Sequence, residues 1–101
     1  MKYRIKVYNV VEKDGYASLM EGEEYDVKQF AEEIKRTAEG NESSVGYQIV
    51  DYEFATLKGG GYRITFLGGF DDEYGYEIAY VDFQLIVDNM EFKDLRKLFG
   101  L

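Results

Sequence analysis

The groups with which this chain could do chemistry are twenty carboxylates, twelve Lys and Arg side chains and ten tyrosines; it has no His and no Cys. Lack of His removes the commonest general base and transition-metal ligand. Lack of Cys removes thiol nucleophiles, disulfides and zinc–thiolate sites, and fits a cytoplasmic protein. Ser-His-Asp and Cys-His arrangements are therefore excluded, and catalysis would have to run on carboxylates, Tyr or Lys. No acid pair stands in a motif of paired-carboxylate hydrolysis. The expectation is a protein that is not an enzyme, with no catalytic residues and no cofactor.

Two stretches invite a ligand and fail on spacing. Asp71, Asp72 and Glu73 are consecutive, whereas a calcium loop needs oxygen ligands at alternate positions, a fixed glycine and a distal Glu. No metal site is expected there. Gly59-Gly60-Gly61 opens onto Tyr-Arg-Ile and a strand, not onto Gly-Lys-Ser/Thr and a helix, so it reads as a turn and not as a phosphate loop.

What remains is charge. The net charge is −8, with an isoelectric point near 4.5. Residues 1–11 are basic, with Lys2, Arg4 and Lys6 and no acid. Residues 12–33 set eight acids against Lys13 and Lys28, and residues 59–92 set seven acids against Arg63 alone. An acidic surface repels nucleic acid and attracts basic partners, including sites built to hold nucleic acid. Solubility alone also favours an acidic surface. No run of eighteen apolar residues and no signal core is present, so neither a membrane span nor export is expected.

The elements that must position these acids follow from pattern. At 101 residues, 46% of them hydrophobic, the chain reads as one domain with a real core. Tyr3, Ile5 and Val7 alternate with Lys2, Arg4 and Lys6, which predicts a half-buried strand over 2–12. Asp14-Gly15 predicts a hairpin turn into a second strand, Tyr16–Met20. An acidic loop, Glu21-Gly22-Glu23-Glu24, comes next. Asp26 as N-cap with Gln29, the Tyr25/Phe30 staple and the stripe Val27, Phe30, Ala31, Ile34 predict a helix over 27–38, stopped by Gly40. Gly46–Phe54 is the clearest strand, running on to Leu57. Its Asp51 and Glu53 share one face about 7 Å apart, opposite Tyr52 and Phe54. Further strands are expected over Tyr62–Leu67 and Tyr76–Val87, separated by a loop, Gly68–Gly75. Periodicity leaves strand or helix open over 82–88. A last helix, 90–99, carries the stripe Phe92, Leu95, Phe99. The expected class is α+β, a small mainly antiparallel sheet with a central and a C-terminal helix in the order β-β-α-β-β-β-α.

The helix followed by Gly46-Tyr47-Gln48-Ile49-Val50-Asp51-Tyr52-Glu53 resembles the N-terminal domain of ArdA-type antirestriction proteins. Ile49, Asp51, Tyr52 and Glu53 match its Ile-x-Asp-Tyr-Glu pattern, and the likeness covers the first half of the chain. The resemblance implies a DNA mimic from a phage or conjugative element that occupies the DNA-binding groove of a type I restriction–modification enzyme. A CRISPR nuclease would be recognised by the same chemistry, and a generic protein-interaction domain is the alternative. Homodimer formation is left open.

The expected partner-binding surface is Glu21, Glu23, Glu24, Glu32, Glu33, Asp51, Glu53, Asp71, Asp72 and Glu73, with Glu39 and Glu42 outside it. A domain of this size is roughly 35 Å long. Duplex DNA of that length carries about 20 charges, one per ~1.7 Å. Mimicry of about one helical turn thus requires the acids to segregate. At net −8 the protein itself should not bind duplex DNA at moderate salt, because phosphate neutralisation drives such binding. A gel-shift titration is expected to show no complex; a low-micromolar, salt-sensitive shift would instead make Lys2, Arg4 and Lys6 the functional residues.

Overall fold

Alternation along Arg4–Glu12 makes β1: Ile5 and Val7 are fully buried while Arg4 is exposed. The computed structural model describes residues 4–44, 48–70 and 73–86. The other elements are β2 (Glu24–Asp26), α1 (Val27–Ser44), β3 (Gln48–Thr56), β4 (Tyr62–Phe70) and β5 (Glu73–Leu85). All strand pairs are antiparallel and the sheet order is β2-β1-β5-β4-β3. The α+β class with an antiparallel sheet and a central helix is therefore observed. The expected helix 90–99 lies outside the described residues.

One face of the sheet is apolar in cross-strand rows. Val10 faces Val81, Val81 faces Ile64, and Ile64 faces Phe54. In the next row, Val7 faces Phe83 and Phe83 faces Tyr62. α1 lies on this face. Phe30 is fully buried, with its ring centroid 4.7 Å from that of Phe83. Burying such a side chain contributes roughly 1.5–3 kcal/mol. The helix starts as its sequence dictates. Asp26 Oδ1 accepts the Gln29 N–H at 2.8 Å, Gln29 Oε1 accepts the Asp26 N–H at 3.2 Å, and Tyr25 meets Phe30 edge-on at 6.3 Å. No described helix is long and apolar enough to cross a membrane.

Three expectations are corrected. The second strand is Glu24–Asp26, paired with Arg4–Lys6, and not Tyr16–Met20. The alternation in Tyr16–Met20 has another cause: Ala17 and Leu19 enter the core while α1 side chains take the place of a ladder. Asn41 Oδ1 accepts the Tyr16 N–H at 2.9 Å and Thr37 Oγ1 accepts the Ser18 N–H at 3.0 Å. The chain does turn back at Lys13–Gly15, but it returns as this strap and enters β2 only after a second turn at Glu21-Gly22, where Gly22 has φ 83°.

The helix does not stop at Gly40 but runs to Ser44. Gly40 is there because Tyr16 crosses the helix at that point; a Cβ would meet the Tyr16 hydroxyl oxygen at 1.9 Å. Lys35 and Arg36 are therefore mid-helix and not beside its negative pole. Finally, Gly68 and Gly69 belong to β4 and Glu73 already starts β5, so 68–75 is not one long loop. β5 continues to Leu85, which makes the open stretch strand as far as that residue.

Asn41 ties these pieces together. It is fully buried, donates to the carbonyls of Tyr16 and Thr37 at 2.8 Å each, and accepts from Tyr16 N–H. Asn41→Ala would leave both backbone groups of Tyr16 without these partners, and an unsatisfied buried group costs about 1–3 kcal/mol. Urea unfolding should show a loss of about 2 kcal/mol or more at unchanged m-value.

Candidate functional site

The second sheet face is polar, and its centre is neutralised from within. Arg63 on β4 faces Asp82 on β5. Its Nε and Nη2 donate to the two carboxylate oxygens at 2.6 and 3.0 Å, and Asn9 Nδ2 donates to Oδ2 at 3.2 Å. The Arg63 guanidinium also stacks on Tyr80, 3.9 Å from the ring centroid. Asp82 is 8% exposed, so a bidentate partner is what allows a charge there at all. The hydrogen bonds that Arg63 donates to Asp82 raise its pKa above the ordinary value. On the sheet, Arg4 also pairs with Glu24 and Lys13 with Glu77, and on α1, across the sheet, Arg36 pairs with Glu33.

The acids expected to form one surface divide between the two sheet edges. At the β2 edge, Glu21 and Glu23 are exposed in the turn and Glu24 is on the strand. Glu21 accepts the Val10 N–H at 2.9 Å, and Glu24 is paired with Arg4. At the β3 edge, Asp51 and Glu53 are exposed and face Leu67 and Thr65 of β4. Three strands lie between these edges, which puts them about 19 Å apart at ~4.8 Å per step. Glu32 is exposed on α1; Glu33 is only partly exposed and its carboxylate is held by Arg36 at 2.7 Å. Asp71 and Asp72 lie outside the described residues, as does the Glu73 side chain.

Two acids set aside by sequence reasoning belong with the β3 edge. Tyr52 sits between Asp51 and Glu53 but faces Phe66 and the core, with ring centroids 5.5 Å apart. Its phenol pKa is raised by burial first, and then by the charges of Glu42 and Glu39. The C-terminal half of α1 therefore brings its carboxylates over β3. The heptad step from Glu32 to Glu39 was a usable signal. Ending the helix at Gly40 hid it.

Lys6, Lys28, Lys35 and Lys58 have no ion pair among the described residues. They are outnumbered by acids in the same condition: Glu12, Asp14, Glu21, Glu23, Glu32, Glu42, Asp51 and Glu53. No group of three or more acids among the described residues has the geometry to hold a metal ion. The molecule is thus a small α+β protein of net charge −8 with a paired charge at mid-sheet and unpaired acids at the β2 turn, at the end of β1, along α1 and on β3. No protein-family model, curated protein or solved structure matches the chain.

The Tyr52 environment has a consequence for alkaline stability. A phenol whose pKa is raised on folding contributes stability that is fully present below its unfolded value near 10 and is lost as pH rises through the folded value. Unfolding free energy should therefore fall above about pH 10, and less steeply in Tyr52→Phe. In Glu39→Gln/Glu42→Gln the Tyr52 resonance, followed by NMR, should titrate at lower pH than in the wild type while staying above the ordinary value, because burial persists. An unchanged titration would separate these acids from β3.

Proposed function

We propose that this protein is an acidic inhibitor that occupies the DNA-binding groove of a restriction–modification enzyme, its rim carboxylates standing where phosphates would. The observation that carries the reading is a pair of exposed, unpaired acids on an outer strand. Arg63, Arg4, Lys13 and Arg36 are paired within the molecule, whereas Asp51 and Glu53 stand without ion pairs on the outer strand β3, and Glu42 of α1 lies on that strand's other side, near Tyr52. A basic groove built for phosphates favours such a rim electrostatically, and long-range attraction raises the association rate. The Ile49-x-Asp51-Tyr52-Glu53 likeness to ArdA-type proteins points to type I enzymes as the target and to a phage or conjugative element as the source. A CRISPR nuclease is a target of the same chemical kind.

A generic interaction domain is the second reading, and one observation favours it. β3 carries a register shift at Val50, and Asp51 Oδ1 accepts the N–H of Tyr52 at 2.7 Å. Bulges and charges on an outer strand also serve to block edge-to-edge pairing.

The two readings separate in an inhibition assay on a type I restriction enzyme, with a CRISPR nuclease in parallel. The wild type should inhibit. Asp51→Lys/Glu53→Lys and Glu39→Lys/Glu42→Lys should each weaken inhibition roughly tenfold or more, about 1.4 kcal/mol. Because exposed substitutions usually change stability by less than ~0.5 kcal/mol, the fold should persist. Glu21→Lys/Glu23→Lys reports whether the β2 rim takes part. No inhibition by the wild type would put the interaction-domain reading ahead, and equal loss from every acid would mean diffuse attraction without a patterned surface.

A further inference from the structure

We draw no further inference here: the strongest candidate, the cavity of about 370 Å³ between the Tyr8 bulge of β1 and the Leu57–Gly60 turn, has Asp82 as its one carboxylate among the described residues, already closed by Arg63 and Asn9, so nothing in it selects a ligand.

Discussion

Arg63 and Asp82 meet in the middle of the sheet, and its polar face is built around that pair. A carboxylate 8% exposed at mid-sheet is tolerated only with its oxygens occupied. Two donors from Arg63 and one from Asn9 do this, and the Tyr80 ring backs the guanidinium. The pair takes the only cation that the acid-rich stretch 59–92 contains. Acids elsewhere have no such partner in sufficient number and are stable only where water reaches them, at the outer strands, the turns and the outer side of α1.

The apolar face imposes the complementary constraint. Phe83 is met by Phe30, Phe54 and Tyr62, with centroid distances of 4.7, 6.4 and 5.7 Å. Rings packed this way fix the seat of α1 on the sheet. A helix that begins at Asp26 on the β2 edge and ends beside β3 must cross the sheet, and its last turns bring Glu39 and Glu42 to Tyr52. β3 thus has acids on both of its sides, Asp51 and Glu53 on the face away from α1 and Glu39 and Glu42 of α1 on the Tyr52 side. Asn41 and Thr37 lock the Tyr16–Met20 strap against the opposite flank of the same helix.

Local signals in the sequence located most of this frame. The capping box at Asp26 and Gln29, the Tyr25 staple and the alternation of β1 and β3 act within a few residues, and each is found where its pattern places it. Errors arose where a tertiary contact outweighed a local preference. Gly40 reads as a helix stop but makes room for Tyr16. Tyr16–Met20 alternates like a strand, yet its backbone is served by helix side chains. Gly68-Gly69 reads as loop but is held within β4. The candidate site was legible only in part for the same reason: the spacing of Asp51 and Glu53 is local, whereas the approach of Glu39 and Glu42 to Tyr52, on the other side of β3, depends on how α1 docks.

If exposed acids of this protein stand in for phosphates, the protein and DNA must exclude one another from the same groove. A labelled duplex bound to a type I restriction enzyme should be displaced completely by this protein. The protein's own affinity for that enzyme should fall steadily as salt is raised from 50 to 200 mM, where screening lengths shorten toward the size of the contact. A stable ternary complex of enzyme, duplex and protein, or an affinity indifferent to salt, would contradict the account.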